Sequence, residues 1–567
     1  MWVLEVLGRG LRADPAERFS SMNELLTELD RRAGTGRKGF ATGAAAKLAG
    51  VWEGPVGGYP VPTPGKERMR EAFIATGKPY AAAVFAGAST ILDRFAQRWT
   101  ELYVEVCEAT HVRGEQSSEI LDLRMACLDE GLEDLKALCR LFRAPTLEVV
   151  ENAVNAANAL GTLERCQDLK LLRAVVRLPD DPAKRAAVEA FRTRLVDARA
   201  LSRVGRAVDG LAAVTPLVEE ARRLAHAPTL AEVLLLYGKL QDLVQTPASA
   251  TFEEAIWIAE GARHEEVAAE AAAYLVYISG YAQAHFEVGE IWSRHAETIL
   301  RRMSGHELLW AFYYNSRGCM REQQGRLEDA IDDARLSIAA KERVLDPNSA
   351  EVALSLCNLA NHMAYGADFA GALDVNERAV DILTATLGRD HPRTALVIGN
   401  HAQFLWRLGQ IEAARVAALA ALDVFQRETA GQGLGATFPM RTLGLCYQQT
   451  GRFDEAVAML ERALGIREAK HSPPLRLAEV RFPLARAVLQ SGRKPARAVA
   501  LARRALAEYA QTANTPTVAL DRAELERWLA THALPTSPPS RKRVKKKQAP
   551  SLSTSKRRKA SAVVRRR

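Results

Sequence analysis

Small residues recur at a fixed distance in the second half of the chain: Gly318, Ala360, Ala402 and Gly444 lie 42 residues apart. Seven residues after three of them comes a glycine, at Gly325, Gly409 and Gly451. An alanine stands at Ala330, Ala372, Ala414 and Ala456, and another small residue seven further on, at Ser337, Ala379, Ala421 and Ala463. Self-similarity at a period of roughly 20 to 50 residues is the mark of a solenoid, whose units cannot bury their apolar faces without a neighbour.

The spacing also says what each unit is made of. Small residues seven to a dozen apart on either side of a glycine describe two helices that cross closely, where a larger side chain would overpack at about 1 to 3 kcal/mol. The glycine supplies a positive φ for a tight helix end. Ala367 stands in its place in the second regular unit with Gly366 just before it, so the turn there is expected to shift by one residue. Weaker units are expected around Ala198, Gly205 and Gly210, around Gly238, Ala255 and Ala262, and around Tyr277, Gly289 and Ala296. A further unit is marked by Ala485, Gly492, Ala498 and Ala505, and Glu508 to Ala533 reads as a closing helix. Residues 195–533 are thus expected to form a solenoid of about eight units, best formed over 310–469.

Composition agrees. Aromatic residues are only 6% of the chain while alanine, leucine and arginine dominate, a helix-former's usage that predicts an all-α fold. The seven cysteines, Cys107, Cys127, Cys139, Cys166, Cys319, Cys357 and Cys446, contain no CxxC pair. That argues against a zinc ribbon, a redox dithiol or a disulfide scaffold, and favours small buried residues in a reducing cytoplasm. No apolar run reaches the length of a membrane span, and MWVLEVLGRGLR lacks the features of a signal peptide, so no membrane insertion and a cytoplasmic location are expected. The net charge of +9 is local: from Arg541 to Arg567 there are 13 Lys or Arg and no acid, which leaves 9 − 13 = −4 for the rest.

Upstream, residues 1–32 read as two helical stretches broken at Asp14-Pro15, with Ser20 or Ser21 and Glu24 forming a capping box. Residues 33–66 read as a linker, rich in Gly and Pro; GTGRKG has neither the spacing nor the strand of a phosphate loop. Residues 67–194 turn helical again. Within them Ser117 or Ser118 is placed to cap a helix with an apolar face of Ile120, Leu121, Met125 and Leu128, after a corner at His111 to Gly114. Glu108, Arg113, Glu115 and Arg124 make either a polar network or a binding site. Residues 534–567 have no periodicity and read as a disordered basic tail.

The regular units resemble the tetratricopeptide repeat in an extended form, and NLANHMAYGADFAGALDVNERAVDILTATLGRDHP is similar to its kinesin light-chain type. RGLRADPAERFSSMNELLTEL resembles the end of a protein kinase C-lobe, in which the arginine matching Arg18 pairs with a glutamate of the activation segment. The block Cys107 to Leu132, with KLAGVW and AFIATGKPYA, is similar to the region after the kinase domain in TPR-tailed bacterial Ser/Thr kinases of the myxobacterial type. The resemblance implies a partner-recognition region without its kinase. Its alternatives are a fragment of a complete kinase, with Met1 inside the C-lobe, and polyanion or nucleic-acid binding by the tail.

No catalytic residue is expected. Asp368-Phe369-Ala370-Gly371 is one residue too long for DFG, Arg389-Asp390 lacks a preceding His, and the glycine loop and strand lysine of phosphoryl transfer are missing. His391-Pro392 reads as a turn rather than a metal ligand, and no cofactor is expected. Stacked repeats instead make a concave surface lined by first helices. Counting along those helices places Asn315, Asn361, Tyr365, Gln403, Trp406, Arg407, Arg441 and Gln448 inward, with Asn358 and Asn400 as the asparagines of the NLA-type motif. Amides suit an extended peptide backbone and arginines suit carboxylates, so a protein or peptide ligand is expected there. The alternative is that the asparagines satisfy the solenoid itself and the aromatics are core.

Overall fold

A computed structural model of the chain describes residues 39–52 and 64–532, apart from 162, 170–171, 173–178, 180 and 493–494. The kinase-like stretch 1–32 and the basic tail lie outside the described residues. Every regular element among those described is helical, and the fold is a tetratricopeptide-type helical solenoid preceded by a helical bundle.

The bundle comprises α1 (Pro64–Ala75), α2 (Ala81–His111), α3 (Ser118–Arg143), α4 (Leu147–Asn158) and a 3-10 turn at Leu163–Cys166. Phe73, Phe142, Trp99 and Trp52 fill its centre, with Phe73 edge-on to both Phe85 and Phe142 at 5.1 Å. Residues 39–48, which their Gly-rich surroundings assigned to a linker, are helical, and Ala44, Leu48 and Trp52 are buried in this core. The alanine-rich stretch between the glycines carries enough helix propensity and apolar surface to join it. Ser117 caps α3, accepting the N–H of Ile120, and Gly114 turns the preceding corner at φ 65°. Arg113 there binds Glu115 at 2.7 Å and Glu105, while Arg124 donates to Gln116 at 2.6 Å, so the polar residues of the block hold its corner together.

One expectation about the cysteines fails. Cys127 on α3 and Cys166 in the 3-10 turn are joined by a disulfide across 39 residues. Their meeting is set by how the bundle folds back, which spacing along the chain does not reveal. Such bonds persist in oxidising surroundings, so the cysteines no longer support a reducing compartment. Among the described residues no helix is long and apolar enough to cross a membrane.

The solenoid is a run of helix pairs: α5 (Pro182–Arg203) with α6 (Ala207–Leu224), α7 (Ala227–Leu243) with α8 (Ser249–Gly261), and α9 (Glu265–Leu275), extended by a π-turn at Val276–Ala282, with α10 (Phe286–Leu300). The regular pairs follow: α11 (Glu307–Gln323) with α12 (Leu327–Glu342), α13 (Ala350–Tyr365) with α14 (Phe369–Leu387), α15 (Pro392–Arg407) with α16 (Ile411–Thr429), and α17 (Thr437–Gln449) with α18 (Phe453–Ala469). Last come α19 (Pro474–Gln490) with α20 (Pro495–Tyr509), and α21 (Pro516–His532). The turn inside each pair contains one residue with positive φ: Gly205, Gln245, Ala284, Gly325, Ala367, Gly409, Gly451 and Gly492. The left-handed residue therefore recurs every 39 to 42 positions through the weak units as well as the regular ones. In three turns a side-chain-bearing residue occupies it.

Ala367 is the informative case. The turn does not shift to Gly366, whose φ is −74°; Ala367 itself takes φ 66°. The N–H of Ala367 bonds to Ala364 and that of Asp368 to Met363, the same closure made at Gly409 and Gln410, so the repeat geometry overrides the residue's own preference. At the helix crossings Ala360, Ala402, Ala330, Ala372, Ala414 and Ala456 are all fully buried. A Cβ at Gly444 would lie 2.5 Å from Cγ of Leu460, which leaves room only for hydrogen.

Bundle and solenoid share one core. Asp134 on α3 receives Arg203 of α5 at 2.9 Å, and α2 packs on α14. The turn before α15 inserts His391 beneath Tyr80 with ring centroids 4.8 Å apart. Its Nε2–H donates to the carbonyl of Glu151 at 3.0 Å, and its Nδ1 accepts the N–H of Arg393 at 3.1 Å, capping α15. Both nitrogens are thus used by a neutral ring, and burial pushes its pKa down to about 4.

Two outcomes follow from this geometry. Ala367→Gly relieves the left-handed alanine and raises stability by about 0.5 to 1 kcal/mol, read as an upward shift of the denaturation midpoint. For His391 the folded pKa lies below the unfolded one, so its contribution is intact above about pH 6.5 and is lost as pH falls toward about 4. Between about pH 7 and about pH 5 the wild type loses about 2 kcal/mol more than His391→Asn, which keeps a capping oxygen; equal losses in denaturant titrations of the two proteins contradict this assignment.

Candidate functional site

The first helices α11, α13, α15, α17 and α19 stack side by side and line the concave face, while second helices carry exposed apolar residues such as Leu336, Val416 and Leu419 outward. The inward side chains selected by counting fall into three groups.

The first group links neighbouring units. Asn358 donates to Oδ1 of Asn315 at 2.7 Å, and Asn400 donates to Sγ of Cys357 at 3.3 Å, so these asparagines join α11, α13 and α15 in a ladder. Arg441 and Gln448 tie α17 to α19, and the reason is Pro483. A proline inside α19 has no N–H to offer the carbonyl four residues back, which is that of Glu479. Nε of Arg441 supplies the missing bond to that carbonyl at 2.9 Å, and Gln448 donates to the carbonyl of Pro483 at 2.7 Å.

The second group contacts the last described helix. Arg407, resting on the rings of Phe369 and Trp406 at 5.3 Å each, makes a bidentate bond to Asp521 of α21 at 2.8 and 2.7 Å. Burial works against its charge, but the Asp521 carboxylate outweighs this and holds its pKa above the ordinary value. The Trp406 Nε1–H is buried without a partner.

The third group is half-buried on the first helices. Asn361 donates to Cys357 Sγ at 3.9 Å, Gln403 is half-buried with no hydrogen bond among the described residues, and Tyr365 presents its ring to the guanidinium of Arg476 at 5.8 Å. Burial pushes the Tyr365 phenol well above its usual range.

Counting from the small residues missed the charges opposite. Arg476 and Glu479 of α19 and Arg467 of α18 form a cluster in which Glu479 accepts from Arg476 at 3.2 Å and from Arg467 at 3.5 Å. Burial alone pushes Glu479 up, yet Arg476, Arg441 and Arg467 bring it down to about 2. Tyr281 of the π-turn and Glu322 of α11 lie near enough to act on Tyr365 and Arg476. Arg476 and Glu479 precede the small residue of their helix, Ala485, and Arg467 stands on a second helix, so the counted positions do not reach them; Glu322, four residues after Gly318, shares the register of Trp406 and Gln448 and was open to the same count. The near-kinase tetrad is accounted for locally: Asp368 caps α14, its Oδ1 accepting the N–H of Gly371 at 3.0 Å. Among the described residues no group of His, Cys, Asp or Glu is arranged to hold a metal ion.

Two tetratricopeptide-repeat family models match the chain, one over residues 352–393 and the other over 393–469. No curated protein matches it in sequence. Among solved structures, the TPR-like repeats of a protein assigned as a kinesin light chain in Podospora anserina cover 37% of this chain and 98% of their own, at 20% identity and a TM-score of 0.29. A Rap protein complexed with Competence and Sporulation Factor covers 61% of this chain and 98% of its own, at 14% identity and a TM-score of 0.41. A STAND ATPase from Pyrococcus horikoshii with a tetratricopeptide repeat sensor covers 83% of this chain and 66% of its own, at 14% identity and a TM-score of 0.40. Scores of this size do not define a shared superhelix.

The Pro483 repair has a measurable signature. Arg441→Ala leaves a buried carbonyl unpaired and costs about 1 to 3 kcal/mol of stability. In a Pro483→Ala background, where the helix regains its own N–H, the same substitution costs clearly less; a double-mutant cycle without coupling contradicts the repair.

Proposed function

We propose that this chain is a non-catalytic protein-interaction scaffold that receives a peptide segment of its partner along the concave channel. The observation that carries this reading is the third group above. Asn361, Gln403 and Tyr365 stand half-buried on consecutive first helices, Asn361 bound only to the Cys357 sulfur at 3.9 Å and Gln403 without a hydrogen bond among the described residues, near the charged cluster of Arg476 and Glu479. Amides at one-unit spacing suit the alternating N–H and C=O groups of an extended backbone, and an arginine stacked on a tyrosine suits an acidic side chain.

The lineage reading, a partner-recognition region of a TPR-tailed bacterial Ser/Thr kinase, is supported by the sequence resemblance of residues 1–32 and of the Cys107 to Leu132 block. A cytoplasmic location would follow from that lineage, and the Cys127–Cys166 disulfide within the same region weighs against it. Polyanion binding by the tail is supported by its 13 cations alone.

Peptides selected from a random library on the wild-type chain test the channel. The double variant Asn361→Arg, Gln403→Arg is expected to weaken them at least tenfold, while Val416→Arg on the outer face leaves them unchanged, with thermal unfolding confirming that both variants fold. Selected peptides that bind the double variant as well as the wild type remove the reading.

A further inference from the structure

Helix α21 does more than continue the stack. Val518 and Leu525 pack against α19 and α20, but Thr517 and Asp521, one helical turn apart, reach earlier units. Thr517 Oγ1 donates to the carbonyl of Ala364 at the end of α13 at 2.6 Å, Asp521 is gripped by Arg407 at the end of α15, and Glu524 pairs with Arg486 of α19. Ahead of the helix, Ala513 reaches the α11–α12 turn at Gly325. This last described helix thus lies back across the ends of α13 and α15.

Its apolar contact is limited to one stripe. Of its 17 residues Thr517, Val518 and Leu525 are buried and Trp528 and Leu529 are half-buried against α19 and α20, Trp528 edge-on to Phe482 at 6.2 Å, while Leu520 points to solvent. An element with so few buried contacts belongs to the low-stability end of a structure and opens locally at small cost. Beneath it Arg407 is a prepared carboxylate receptor: its guanidinium is flanked by two aromatic rings, it presents both terminal nitrogens in a fork, and it is shielded from water. Asp521 satisfies this receptor from a segment 114 residues away.

We propose that the corner formed by Arg407, Phe369 and Trp406, with the Ala364 carbonyl at the end of α13 beside it, is a docking site for an acidic helical segment of a partner, and that α21 is its resident occupant. The partner segment takes the place of α21, with a carboxylate in the position of Asp521 and a donor four residues earlier in that of Thr517. The inference rests on the scaffold reading and names the chemistry of one partner. It makes the affinity for that partner depend on how readily α21 leaves, since a competent state populated only in part lowers apparent affinity by its fraction.

The test uses the full chain and a fluorescein-labelled peptide of residues 512–532, read by anisotropy, with amide exchange of 516–532 followed by mass spectrometry. In Asp521→Arg the like charges at Arg407 release α21: its amides exchange at least tenfold faster, and the peptide binds at least tenfold tighter than to the wild type. Adding Arg407→Ala abolishes that binding, and a peptide carrying Asp521→Asn binds at least tenfold more weakly. Amides that stay as slow as in the wild type, or a peptide indifferent to Arg407, overturn the proposal. If Asp521→Arg unfolds the whole chain by circular dichroism, Thr517→Val with Asp521→Asn replaces it under the same criteria. The two readings fail separately, because a channel ligand that ignores Asn361 and Gln403 removes the first, and an α21 peptide that ignores Arg407 removes only the second.

Discussion

Two helices that cross with only a methyl group or a hydrogen between them set the geometry of this protein. At Ala360, Ala402 and Gly444 the first helix of a unit comes so near its second helix that the crossing has no room to slide. Close packing of this kind fixes the angle within each pair, and the angle repeated through the units fixes the curvature of the whole. The left-handed residue in each turn closes the pair, and its recurrence from Gly205 to Gly492 shows one geometry imposed on sequences that no longer share a glycine.

That curvature brings distant units within reach of one another and consumes many of the polar groups that a flat array would leave free. Arg441 is the clearest example. On a single helix it looks like a receptor for a ligand carboxylate, whereas in the superhelix it replaces the backbone bond that Pro483 removes. Asn315, Asn358 and Asn400 are likewise spent between units. What the superhelix leaves less used is narrower: the amides and aromatic ring on α13 and α15.

The helical bundle adds a second constraint. It spans from α5 to the middle of the solenoid, with Asp134 at one end and the buried neutral ring of His391 at the other. Units far apart along the array are therefore tied through a common core rather than through nearest neighbours alone. The Cys127–Cys166 bond fastens the same bundle internally.

The period, the small residues at the crossings, and hence the helical-repeat fold were legible in the sequence, because close packing leaves so few residue types acceptable at those positions. Helical periodicity also decides from sequence alone which residues of a first helix share a side. Only the tertiary structure decided which of those groups are spent. Whether Arg407 meets Asp521, whether Arg441 meets a broken helix, whether Ala367 bends to the left-handed turn and whether Cys127 meets Cys166 all depend on contacts between residues distant in sequence, or on geometry imposed by neighbouring units. Local pattern carries no record of such contacts, because each is made by the curvature that the units produce together.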